Sequence, residues 1–404
     1  MDKRIFLKGA AALALLAAPA PALAQDTIKI GVIMPYSGQF ADLATQMDNG
    51  IKLYVKQKGD SVAGKKIEFI RKDTGGVAPD VATRLAQELI TRDNVDILAG
   101  FTLSPNAIAV SKVSAEAKKF MVIMNAATTV IITMSPYSVR ASMTLPSVGS
   151  TAGAWAYKSG IRKAYTMVSD FAPGKDAEIS FHEAFKAAGG EIVGSVRMPL
   201  ANPDFSAFVQ RAKDLNPESI FIFVPAGAQP AALGKAFAER GVDAGKIKII
   251  GTGDAFDESF AKNVGDAGVG IISVWHYDYN DDSKLNKEFV AAYNAEFKRN
   301  PDFGAVDAYD GMHVIYEALK KTGGKTDGDS LVAAARGLSF DSARGPIQID
   351  PDTRDIVQNI YIRKVEKVDG KLYNQEFATF EAALAPAPQS SPSRAHLPVE
   401  NLPV

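Results

Sequence analysis

Short apolar runs alternate with helix-period stretches along most of this chain. "TIKIGVIM" (27–34) is followed by a turn, "PYSGQF", and then by an amphipathic stretch over 43–57. The succession repeats: "KIEFIRKD" (66–73) precedes a helical pattern at 79–92, and "VDILAGF" (95–101) precedes one starting at Pro105; "FMVIMNA" (120–126) comes next. Apolar runs of strand length alternating with 3.6-period segments predict βαβ units, and hence a parallel sheet covered by helices. The pattern then restarts, with strands predicted at 163–170, 191–198, 219–226, 246–253 and 268–275 and helices at 174–188, 205–215 and 230–240.

Three further helical stretches, 283–299, 306–322 and 328–336, bring few strands of their own, and two last strands are predicted at 346–350 and 358–366. These late pieces must join units already formed, so the chain is expected to cross between them near 144–148, 275–280 and 337–345. The expected fold is α/β, with two doubly wound parallel-sheet lobes joined by three hinge crossings. The N-terminal lobe is expected to comprise 25–144 plus 277–340, and the C-terminal lobe 145–276 plus 341–380. The segment 383–404 holds five of the 21 prolines with no apolar period and is expected to be disordered.

The first 24 residues break the pattern. A basic start (Lys3, Arg4, Lys8), an Ala/Leu stretch from Ala10 to Ala18 and the small-x-small Ala22-Leu23-Ala24 predict a secretory signal peptide over 1–24. The apolar run is too short for the ~20 residues of a membrane span. "KRIFLKG" also resembles a twin-arginine signal with Lys3 in place of the first arginine, so the export route stays open between the two pathways. A periplasmic protein without membrane insertion is expected.

Composition narrows the chemistry. With 404 residues and 47% hydrophobic content the chain is long enough for about two or three domains, each with a core of its own. Lys and Arg total 45 against 46 Asp and Glu, which lacks the basic excess of nucleic-acid binders. The chain has no cysteine, so thiolate nucleophiles and Cys-zinc sites are excluded. Its four histidines, His182, His276, His313 and His396, are not paired at helical spacing. No nucleophile elbow, Walker pattern or His-Glu-x-x-His occurs, and "GTGD" (251–254) lacks the third glycine of a dinucleotide fingerprint, Phe256 standing in its place. No catalytic residue, metal or cofactor is expected.

Ligands of open α/β sheets sit at the carboxyl ends of the strands. At one such end Ser104-Pro105 reads as an N-cap followed by proline at the first helical position, which is either a plain cap or an anion site at a helix N-terminus. The next strand ends in "NAATT" (125–129), small and hydroxyl-bearing, so two adjacent strands end in open loops. Trp275-His276-Tyr277 falls at an expected crossing, as hinge packing or as a ligand contact, and "DYNDD" (278–282) reads as a solvated loop.

"IKIGVIMPYSGQFA", "DILAGFTLSPNAIAV", "MNAATT", "VSDFAPGKDA" and "RGPIQIDPDTRDIVQNIYIRKVEKVDGKLYN", in this order, resemble the Leu/Ile/Val-binding proteins, periplasmic solute-binding components of ABC transporters. The resemblance covers about 26–380. It implies a type I periplasmic binding fold acting as a monomer, with an inner-membrane ABC permease as partner. It implies that a ligand carboxylate is held by Ser104, Ala126 and Thr128, aided by backbone N–H groups near Ala126. Tyr36, Phe171 and Tyr277 would supply aromatic walls, and Ala226 and Asp254 the contacts of the second lobe. Pro173 stands where a tyrosine is common, and the acidic position that meets an ammonium falls on or beside Gly253. Members that bind aromatic or other organic acids show a "DFAPG"-like loop. The resemblance therefore leaves two ligand classes, a branched-chain amino acid and an aromatic carboxylate. A sensory binding protein and an α/β hydrolase are the competing functional classes.

Overall fold

The computed structural model describes residues 26–201 and 203–384. The expected signal peptide lies outside them. The last strand runs to Leu384, two residues into the segment expected to be irregular, and 385–404 are not among the described residues.

The first sheet contains β1 (Thr27–Met34), β2 (Ser61–Val62), β3 (Lys65–Asp73), β4 (Ile97–Gly100), β5 (Phe120–Ile123) and β6 (Ser138–Arg140), in the order β2-β3-β1-β4-β5-β6. Only β2 runs antiparallel to its neighbour. β4 and β5 are buried along their whole length, which is why they read as unbroken apolar runs. Helices α1 (Ala41–Lys58), α2 (Pro79–Thr91), α3 (Ser104–Ala117) and α4 (Val130–Met134) connect these strands. In α2, the buried Ala82, Leu85, Ala86 and Leu89 recur on one helical face.

The second sheet begins after α5 (Leu145–Lys158). Its parallel part is β7 (Lys163–Ser169), β8 (Glu191–Met198), β9 (Ser219–Phe223), β10 (Lys248–Thr252) and β11 (Ile272–Trp275), ordered β11-β10-β9-β7-β8. Helices α6 (Ala172–Ala188), α7 (Phe205–Asp214), α8 (Gln229–Glu239) and α9 (Glu258–Val264) alternate with these strands. The chain then returns to the first sheet, where α11 (Phe303–Lys321) packs along α1, flanked by α10 (Lys284–Phe297) and α12 (Gly328–Ala335). It crosses once more to add β12 (Ser339–Ser342), β13 (Gly345–Ile349), β14 (Ile356–Val368) and β15 (Lys371–Leu384) to the second sheet.

The structure therefore has two α/β lobes, with one departure from the wholly parallel expectation. β12 to β15 pair antiparallel, with one another and, through β14, with β11. Their connections are too short for a crossover helix, and short turns join only antiparallel neighbours. Between β14 and β15 the turn is Asp369-Gly370, both at positive φ (49° and 77°), as a two-residue hairpin demands.

One buried arginine ties the three inter-lobe connections together. Arg344, at the third, donates from Nε to Asp310 (2.7 Å) and from Nη2 to the carbonyl of Ala141 at the first, and its Nη1 pairs with Asp307 (3.1 Å). Asp307 also binds Nε2 of His276 (2.8 Å), at the second connection. Burial pushes the His276 imidazole below its ordinary range, against the pull of Asp307, and its Nδ1 has no hydrogen-bond partner among the described residues. Trp275 packs edge-on against Phe303 (5.2 Å between centroids) at the same place.

Candidate functional site

Strand order reverses on either side of β1 in the first sheet and of β7 in the second. The loops after β1, β4 and β5 therefore face those after β7, β9 and β10 across a crevice, where α/β sheets hold ligands.

On the first lobe the chain turns sharply after β4. Gly100 and Phe101 both have positive φ (101° and 64°), the N–H of Phe101 donates to Ile33, and its carbonyl accepts from Ala126. This reversal sets Ser104 beside the loop after β5. Ser104 does not cap its own helix. It is the first residue of α3, after an extended Leu103, and its Oγ accepts from the N–H groups of Ala127 (3.1 Å) and Thr128 (3.3 Å). A hydroxyl that already accepts twice still has its proton to give. Next to it, Asn125 donates from Nδ2 to the Thr102 carbonyl (2.6 Å), and its buried Oδ1 has no partner among the described residues.

Arg140 holds this loop from beneath. It is fully buried, pairs through Nε with Asp355 (2.7 Å), and donates to the carbonyls of Ala126 and of Thr128 (2.8 Å). The expected cradle of backbone N–H groups is thus already spent: Ala126 donates to Phe101, and Ala127 and Thr128 to Ser104. What remains to meet an anion is the Ser104 hydroxyl, above a buried guanidinium.

The cleft wall combines this polar end with a cage of rings. Phe40 and Phe303 come from the first lobe; Phe171, Pro173, Phe223, Pro225 and Ala226 come from the second. Phe171 stacks on Phe223 at 5.9 Å and 24°. Asp254 completes the wall. It is buried, its Oδ1 has no hydrogen-bond partner among the described residues, and burial pushes its carboxyl up to about 7.

Of the eight residues expected to contact a ligand, Ser104, Phe171, Ala226 and Asp254 share this wall, and the other four do not. Ala127 lines it in place of Ala126 and Thr128, because Arg140 draws the carbonyls of those two residues away. Thr128 instead faces Asp176 of α6, whose carboxyl burial pushes up to about 6. Tyr36 turns toward Asp48 (3.4 Å), the partner of Arg71 and Lys52. Tyr277 is buried in an adjoining cavity and donates to Asn286 Oδ1 (3.0 Å). Asp278 of the expected solvated loop is also buried, its Oδ1 accepting from the Asn280 N–H. Sequence reasoning missed Phe40, Asn125, Phe223, Phe303 and Arg140. Of these, Phe40 and Asn125 lay in loops already singled out, the turn "PYSGQF" and "NAATT".

Comparison with known proteins decides the family. A family model described as periplasmic binding protein matches residues 27–371. The chain belongs to that family. It is similar to the Leu/Ile/Val-binding protein homolog 6 of Brucella melitensis biotype 1, at 40% identity over 374 residues, covering 92% of this chain and 96% of the relative. It is also similar to the solute-binding protein of an ABC transporter from Rhodopseudomonas palustris BisB5, solved in complex with 3,4-dihydroxybenzoic acid (53% identity, TM-score 0.86, covering 90% of this chain and 99% of that one). A third is the solute-binding protein of an ABC transporter from Rhodopseudomonas palustris HaA2, in complex with p-hydroxybenzoic acid (42% identity, TM-score 0.86, 89% and 98% covered). This periplasmic binding protein is thus the substrate-binding component of an ABC transporter. No helix among the described residues is long and apolar enough to cross a membrane.

Proposed function

We propose that the protein captures a small aromatic carboxylate between its lobes and delivers it, unchanged, to an inner-membrane permease. The observation that carries this reading is the make-up of the wall: the Ser104 hydroxyl at one end, four phenylalanines along the sides, and the buried Asp254, whose carboxyl burial pushes up to about 7. The ligand carboxylate accepts from Ser104, and its ring lies among Phe40, Phe171, Phe223 and Phe303. A ring of this size buries about 150 Å², worth roughly 4 kcal/mol at about 25 cal/mol per Å². A hydrogen bond to a charged group contributes about 1.5–3 kcal/mol. The ring therefore outweighs the carboxylate, and unsubstituted benzoate binds where acetate does not.

A neutral carboxyl both donates and accepts, and so does a phenol. Asp254 thus suits a ring hydroxyl, consistent with the hydroxybenzoic acids held by the two Rhodopseudomonas palustris proteins. The presence of Asp254 in the wall is also what a second reading, an amino-acid ligand, would use. An ammonium needs an ionised partner, however, and burial works against ionising this one.

Closure would be driven by contacts the ligand makes with both lobes at once. The lobes already meet closely: a Cβ on Gly227 would lie 2.6 Å from the Gln39 carbonyl. The exported form, released by cleavage after residue 24, would act as a monomer in the periplasm. Ser104 Oγ accepts from backbone N–H groups and donates to no basic side chain among the described residues, which supports a ligand left chemically intact.

A thermal-shift panel tests this. Benzoate, 4-hydroxybenzoate and 3,4-dihydroxybenzoate should each raise the melting temperature, since a ligand at 100 times its dissociation constant adds about 2.7 kcal/mol. A shift with leucine and none with the aromatic acids would overturn the reading in favour of an amino acid.

A further inference from the structure

Behind the ring cage lies a second cavity of about 410 Å³, which shares Leu43, Ala226 and Phe303 with the first. A single ring hydroxyl needs no such space; the volume is that of a ligand pocket in its own right. Its charged lining is mixed: Lys262, Arg299 and Arg363 stand with Asp42, Asp257 and Asp302. Arg299 is satisfied by a two-pronged pair with Asp42 (2.7 and 3.0 Å). Arg363, 6% exposed, has no ion-pair partner among the described residues. It donates from Nε to Ser273 Oγ (3.1 Å) and from Nη1 to the Tyr277 carbonyl (2.6 Å), and its Nη2 makes no hydrogen bond among the described residues. The carboxyls of Asp278, Glu376 and Asp254 lie within electrostatic reach of it and favour its charged form, but among the described residues none is close enough to form an ion pair with it.

Gly253 makes room for this arrangement. A Cβ there would lie 2.4 Å from Arg363 Nη2 and 2.3 Å from Trp275 Cγ. The indole N–H of Trp275, in the same wall, is a buried donor without an acceptor among the described residues. A buried guanidinium with a spare donor face is costly unless an anion meets it.

We propose that this cavity is a subsite for a second anionic group on the ligand, held by Arg363, so that the protein accepts aromatic acids carrying a further carboxylate beyond the ring. The proposal rests on the aromatic-acid reading of the first cavity. Calorimetric titration of the purified protein with terephthalate, its monomethyl ester and 4-hydroxybenzoate separates the two. The diacid should bind about 10-fold or more tightly than the ester, the scale of one charge-assisted hydrogen bond. In Arg363→Gln the ratio should fall to about one, whatever the absolute affinities, and Arg363→Lys should keep part of it. Equal binding of diacid and ester to the native protein, or a ratio that survives in Arg363→Gln, overturns the subsite. Binding of 4-hydroxybenzoate without the diacid overturns it and leaves the first reading standing. If none of the three binds, both fall.

Discussion

One hydroxyl at the start of α3 supplies a polar donor to the cleft. Because Ser104 Oγ is fixed by two backbone N–H groups, its remaining hydrogen has a set direction, and little is lost in ordering it for a carboxylate. Ser104→Ala should weaken binding of 4-hydroxybenzoate by about 10- to 100-fold, as for a hydrogen bond to a charged group, measured by calorimetry. At the other side of the wall Asp254 makes a pH-dependent prediction. Its folded-state value, about 7, lies above the ordinary carboxyl range, so the folded protein holds this proton more tightly than the unfolded chain. Stability from this group is present at low pH and is lost as pH rises from about 4 to about 7. Urea denaturation of the native protein and of Asp254→Asn should show the native protein losing stability relative to the variant across that window, with the difference levelling above it. The amide introduced by Asp254→Asn can still donate and accept, so this variant should keep 4-hydroxybenzoate binding, whereas an ammonium partner would be destroyed.

The residue types Ser, Asn and Asp at strand ends were visible along the chain, but their partners were not. Nothing in the spacing of Arg140 tells that it passes under the 126–128 loop. Phe223 reads as one more core residue of an apolar strand, and Phe303 comes from a helix reached only after the second crossing.

Elements position these side chains through close contacts. The first turn of α6 sits against the end of β7, where a Cβ on Gly174 would lie 1.9 Å from the Ser169 carbonyl. Phe171 and Pro173 of the wall are carried by that junction. Gly174→Ala should cost about 1–3 kcal/mol by denaturant melting, the range for overpacking, and should also weaken ligand binding, because α6 must move outward and take Phe171 with it. The same economy of space explains why α5 was illegible. "LPSVGSTAGAWAYK" is rich in glycine, serine and threonine and has weak helical preference, yet Gly149 lets α5 settle on α6, where a Cβ would meet Ser180 Oγ at 2.1 Å. The strongly periodic helices and the buried parallel strands were legible because their own pattern demands them. β15 was not, because its polar alternation gains meaning only once the Asp369-Gly370 turn folds it back on β14.

At the scale of the molecule, the three crossings form one unit. Arg344, Asp307, Asp310 and His276 belong to a buried network that joins segments as far as 203 residues apart, so the connections are tied to one another at the base of the cleft, where Met143 and Leu145 line the wall. Such a network suits lobes that rotate about a common seam. It is also why the loops after β4 and β5 meet those after β7, β9 and β10 as rigid sets, and why a ligand between them is gripped by both lobes. The alternation of strands and helices foretold two lobes and the return crossings, but it carried no information about which face of each lobe would meet the other.

The most direct measurement is a crystal structure of the complex with 4-hydroxybenzoate. It should place the ligand carboxylate at about 3 Å from Ser104 Oγ. The ring should lie among Phe40, Phe171, Phe223 and Phe303, with the phenol directed to Asp254. A ligand whose carboxylate sits away from Ser104, or whose ring lies outside that cage, would contradict the site described.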